Sequence, residues 1–117
     1  MPIYPGSQMS TVAPYGTSKC RPVRIRATGT AMAYAATGAA AIREARTEAR
    51  RLRDQAVLRV RALKCPKKGG CKAGCQQGRT MRVAWGTRVS PPRPSAGMWY
   101  SWVREYHVYL MNCRCPG

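Results

Sequence analysis

The sequence predicts an α+β fold in which a long basic helix packs on a short antiparallel sheet, cross-tied by cysteines. Three observations carry this. Residues 39–64 place apolar side chains at spacings of three and four; residues 80–89 and 98–112 alternate with the period of a strand; and six cysteines, Cys20, Cys65, Cys71, Cys75, Cys113 and Cys115, sit in a chain of only 117 residues. That length fits one small domain. The expected division is an extended arm over 1–26 and a domain over 27–117, helical over 27–64 and a cysteine-rich β region over 65–117.

The arm is rich in Pro, Gly, Ser and Thr, and its order is expected to come from packing or a partner. Val23 and Ile25 alternate with Arg24 and Arg26, the pattern of a short edge strand. Met1 to Ser18 lacks the basic start and apolar core of a signal peptide, so export without a cleaved signal is the expectation.

Residues 27–42 are almost wholly small, with Gly29, Ala33 and Ala40 able to let another helix come close. The stretch is shorter than the ~20 residues a membrane-spanning helix needs. It is read as a tightly packed helix, with membrane activity as the rival. In 39–64 the stripe is Ile42, Ala45, Ala49, Leu52, Ala56, Val60 and Leu63. Other faces carry Arg43, Arg46, Arg50, Arg51, Arg53, Arg59 and Arg61, and Glu48 can pair with Arg51 three residues on. Cys65-Pro66 ends the helix, because proline disfavours helical geometry in the residue before it.

A glycine-rich loop over 65–78 carries three cysteines. In the next strand Met81, Val83, Trp85, Thr87 and Val89 face one way, and Arg82, Ala84, Gly86 and Arg88 the other. A proline-rich connection leads to the strand 98–112, which holds two of the three tryptophans, three of the six tyrosines and the one histidine. Its even positions, Tyr100, Trp102, Arg104, Tyr106, Val108 and Leu110, form an apolar face broken once. Its odd positions set Glu105, His107 and Tyr109 side by side, expected to face solvent.

The charge balance is 21 Lys+Arg against 4 Asp+Glu, a net +17. A balance this one-sided calls for an anionic partner: nucleic acid, anionic lipid or an acidic protein. Arg43, Arg46, Arg50, Arg53, Lys67, Lys68 and Lys72 are the candidate nucleic-acid contacts. For the cysteines three readings stay open: structural disulfides, with fifteen possible pairings; structural zinc on Cys65, Cys71, Cys75, Cys113 and Cys115; and free thiols. No other cofactor is expected. The candidate catalytic set is His107, Glu105, Tyr109, Arg82 and Arg88. A base, an acid and a cation are what phosphodiester cleavage through the ribose 2′-hydroxyl requires, and no metal is needed. A two-metal DNase would need an acidic cluster that this strand does not have.

From about Arg51 onward, Cys65-Pro66, Val83-Ala84-Trp85-Gly86-Thr87, Pro91-Pro92-Arg93-Pro94, Tyr106-His107-Val108-Tyr109-Leu110-Met111-Asn112 and Cys113-Arg114-Cys115 follow in order. This succession resembles small C-terminal toxin modules of bacterial polymorphic and type VI-like secreted effectors. The resemblance implies antibacterial toxicity in a target cell, a secretion apparatus and a cognate immunity protein, here expected to be acidic. The functional expectation is therefore a secreted antibacterial effector, a nuclease cleaving RNA without a metal. The alternatives are a non-enzymatic nucleic-acid-binding or packaging protein and a membrane-active toxin using 27–42.

Overall fold

The computed structural model describes residues 8–14 and 17–116. The elements are β1 (Met9–Ala13), β2 (Val23–Ala35), α1 (Gly38–Ala62), β3 (Gln76–Val89), β4 (Arg93–Ser95) and β5 (Met98–Arg114). The sheet order is β1-β2-β5-β3, with β4 on the start of β5. Every pairing is antiparallel.

The sheet is not short, and this corrects the expected fold class. It has five strands, of which β2, β3 and β5 run for 13, 14 and 17 residues, so antiparallel sheet dominates and one helix packs on it. Much of the difference lies in residues 27–35, which are strand rather than helix. Alanine favours helix, but tertiary context overrides propensity. Here the small residues of β2 form the floor under α1. Ala27 and Ala31 are fully buried. A Cβ on Gly29 would lie 2.0 Å from the Ala49 carbonyl oxygen and 2.2 Å from the Arg53 nitrogen. The small-residue signal did mark a close approach, of a helix to a strand. The 27–42 segment is thus a strand, a turn and the start of α1, and no described helix is long and apolar enough to cross a membrane.

The α1 helix opens at Thr37, whose side chain accepts from the Ala40 N–H at 3.1 Å. It closes where the Leu63 N–H reaches the Val60 carbonyl at 3.1 Å, two residues before Cys65-Pro66. Of its expected stripe Ala45, Ala49, Leu52, Ala56 and Val60 are buried, joined by Ala41 and Val57, while Ile42 and Leu63 are half-buried at its ends. Arg51 pairs with Glu48, as the spacing suggests. Ser10 and Arg59 join β1 to the helix; the Ser10 hydroxyl donates to the Leu52 carbonyl at 2.7 Å.

The odd face of β5, expected in solvent, is the face under the helix. Val103, Glu105, Tyr109, Met111 and Cys113 are all buried. The reason is register: Ala27, Gly29 and Ala31 of β2 lie opposite His107, Glu105 and Val103. A helix comes close over small neighbours, and the large even-position aromatics stand on the other face. Val108 is therefore not a core position, but half-buried on the helix-free face.

The six cysteines form three disulfides, Cys20–Cys75, Cys65–Cys113 and Cys71–Cys115, all at the end where α1 and β5 finish and β2 and β3 begin. Two of them tie the loop after the helix to the end of β5. A native disulfide in a small domain typically contributes about 2–5 kcal/mol, useful to a core built largely of alanine.

Candidate nucleic-acid interface

The α1 helix lies over β2, β5 and β1. Beyond its edge β3 stands largely uncovered, and Trp85 is 66% exposed. A groove results. Its floor is Glu105, His107 and Tyr109 of β5, and one wall is an arginine flank of α1. The other wall is the same-facing side of β3, where Thr87, Trp85 and Arg82 lie opposite Glu105, His107 and Tyr109. The groove widens into a cleft of about 630 Å³ lined by Arg61, Thr80, Arg82 and Tyr109.

Arg43, Arg46, Arg50, Arg53 and Arg61 recur at helical spacing and so share one flank of α1. Glu105 gathers three of them. Its Oε1 lies 3.3 Å from Arg50 Nε and 3.5 Å from Arg46 Nε, and its Oε2 lies 3.7 Å from Arg53 Nη1. Thr87 donates its hydroxyl to Oε2 at 2.6 Å. The Arg46 contact is an ion pair without hydrogen-bond geometry, since its buried Nε finds no aligned acceptor. The Glu105 side chain is only 4% exposed, whereas those of Arg46 and Arg50 are 40% and 55% exposed. Glu105 is thus an organiser of guanidinium groups whose outer parts remain in water. This corrects the expectation of a solvent-facing acid.

His107 Nδ1 lies 3.3 Å from the Tyr109 hydroxyl, with the rings edge to face. Partial burial lowers the His107 pKa below the usual 6.5, and the positive charges of Arg53 and Arg82 push it further down against the smaller opposing pull of Asp54 and Glu105. The imidazole is therefore neutral at pH 7. In the tautomer that donates from Nδ1 to Tyr109 Oη, the basic lone pair is on Nε2. Arg82 lies over the Trp85 ring, 4.8 Å from its centroid.

The structure thus brings together His107, Glu105, Tyr109, Arg82, Arg46, Arg50 and Arg53. It does not bring Arg88. A register shift between Arg82 and Ala84 inserts Val83 as an extra residue, so Arg88 lies opposite Arg104 on the helix-free face. Lys67, Lys68 and Lys72 are exposed on the disulfide-tied loop and are not among the residues lining the cleft. Sequence reading missed Arg61, Thr80, Trp85 and Thr87 as site residues. Arg61 was within reach, eight residues after Arg53 on the same flank. Thr80 was too, two residues before Arg82 on the same face of the strand, whereas Trp85 and Thr87 depended on the bulge.

The helix-free face is basic and aromatic as well. Arg26 lies over Tyr106 at 5.0 Å and Arg104 over Trp102 at 5.7 Å. The Tyr106 ring crosses Gly86, where a Cβ would meet its hydroxyl oxygen and ring carbons at under 3 Å. No protein-family model, curated protein or solved structure matches the chain.

Proposed function

We propose that the groove between α1 and β3 binds single-stranded RNA. The observation that carries this is the open cleft lined by Arg61 and Arg82, continued along the same face by the exposed Trp85 and by the helix arginines held at Glu105. Guanidinium groups neutralise phosphates without regard to sequence, and an exposed indole stacks on any base. The Arg46, Arg50 and Arg53 side chains are pre-positioned by Glu105, so less freedom is lost when phosphate arrives.

The test is fluorescence anisotropy with a labelled RNA oligonucleotide across a salt series. Trp85→Ala removes a stacking platform worth roughly 1–3 kcal/mol, about 5- to 150-fold in affinity. Arg82→Ala is expected to flatten the slope of log K against log salt by about 0.7, one single-strand phosphate contact. Both side chains are exposed, so both variants stay folded. If Trp102→Ala and Arg104→Ala weaken binding more than the groove variants do, the interface is the helix-free face instead.

The neutral imidazole in the same groove favours a second reading, that the bound RNA is cleaved. His107 takes the proton of a ribose 2′-hydroxyl, the 2′-oxygen attacks phosphorus, and the bond from phosphorus to the 5′-oxygen breaks. Arg82 and Arg61 stabilise the extra negative charge, and the leaving oxygen takes a proton from water. On this reading the chain is a toxin module, and an acidic immunity protein would cover the groove. His107→Ala then lowers the cleavage rate by about 10²–10⁴ with RNA affinity largely kept. Because the folded pKa lies below 6.5, the acid limb of the rate profile falls below that pH. Cleavage at the wild-type rate by folded His107→Ala removes the catalytic reading and leaves the binding one.

A further inference from the structure

The three disulfides form one sulfur cluster. The Sγ atoms of Cys20, Cys71 and Cys115 all lie within 4.8 Å of one another, and so do those of Cys65, Cys75 and Cys113. Each trio contains one complete disulfide and one half of the Cys20–Cys75 bridge. The Cys20 and Cys75 sulfurs, bonded to each other, therefore sit between the other two pairs.

We propose that this cluster, once reduced, binds two zinc ions, with Cys20 and Cys75 as the bridging thiolates. Cys71 and Cys115 complete the tetrahedron of one ion, and Cys65 and Cys113 that of the other. Zinc takes four thiolates at about 2.3 Å, which sets its ligand sulfurs about 3.8 Å apart. The sulfurs of each trio already lie within 4.8 Å of one another; on reduction the bonded pairs open toward the ligand spacing, and the fourth ligand of each ion, the other half of the Cys20–Cys75 pair, moves in from the neighbouring trio.

The chemistry balances. Three equivalents of a dithiol reductant supply six electrons and six protons, converting three disulfides into six thiols and leaving three oxidised dithiols. Two zinc ions then displace six protons. Two dications and six thiolates leave two net negative charges, favourable in a chain of net charge +17. Cys115 is exposed, which gives a reductant a point of entry. Gly69, Gly70 and Gly74, all at positive φ in the loop between Cys65 and Cys75, give the loop backbone room to adjust. The same end of the fold is then cross-linked in both redox states: by sulfur–sulfur bonds under oxidising conditions, and by metal–thiolate bonds under reducing ones.

The experiment uses the full chain, reduced and desalted without oxygen, then titrated with cobalt(II) and back-titrated with zinc(II). The expected result is the absorption of tetrahedral tetrathiolate cobalt, saturating at two metal ions per chain and displaced by two zinc ions. A Cys20→Ser/Cys75→Ser double variant, reduced alike, is expected to bind its first metal at least a hundredfold more weakly. Saturation at no metal or at one metal by the wild-type chain overturns the proposal, whether or not the variant folds. A double variant that binds two ions as tightly as the wild type overturns the bridging assignment.

Discussion

Glu105→Gln is expected to destabilise the protein by roughly 3 kcal/mol, the lower end of the range for removing one partner of a buried ion pair. The carboxylate is 4% exposed and lies within 4 Å of three guanidinium groups. The replacement amide oxygen can still accept from Thr87, but its NH₂ cannot neutralise the arginines. Arg46 and Arg50 are 40% and 55% exposed and can turn toward water, which keeps the effect from the upper end. Arg53, at 17%, has less escape. Urea unfolding followed by circular dichroism measures the loss, and it should persist in high salt because the pair is shielded from counterions. A solvent-facing catalytic acid predicts the opposite pattern, unchanged stability with a large drop in cleavage. The two roles of Glu105 are therefore separable in one variant.

The period-2 alternation of β5 put Glu105, His107 and Tyr109 on one face, and the arginines of α1 were visible as candidate phosphate contacts. What periodicity cannot supply is which face is covered. That was settled by β2, where Ala27, Gly29 and Ala31 admit a helix backbone, and a run of small residues reads equally as helix or strand from composition alone. The bulge at Val83 was equally hidden. It leaves alternation intact on both sides, yet moves Arg82 onto the face of Trp85 and so parts it from Arg88. The staple between the loop and the C-terminus followed from where the cysteines fall, whereas pairing Cys20 with Cys75 required the pairing of both β2 and β3 against β5. Within the arm expected over 1–26, Met9–Ala13 is ordered by pairing with Arg26–Thr30, a long-range contact whose partner local composition does not record.

Gly29→Ala tests the contact on which the groove depends. A Cβ at this position would stand 2.0 Å from one helix backbone atom and 2.2 Å from another, and neither can rotate away. Relief requires α1 to lift by more than an ångström, or β2 to leave its register between β1 and β5. Overpacking a core typically costs about 1–3 kcal/mol when side chains can adjust. Here only backbone can move, so the expected loss is about 3 kcal/mol or more, although alanine is the better strand residue by intrinsic preference. The control on the same strand is Arg24→Ala, an exposed position expected to stay within about 0.5 kcal/mol of wild type. Equal urea midpoints for Gly29→Ala and wild type would mean that the helix does not approach β2 this closely. A second readout follows from the geometry. Glu105 lies opposite Gly29 on the neighbouring strand, so lifting the helix draws Arg46, Arg50 and Arg53 away from the carboxylate. At temperatures where the variant remains folded, its RNA affinity is expected to fall with the loss of that pre-positioning, even though no residue of the groove itself has changed.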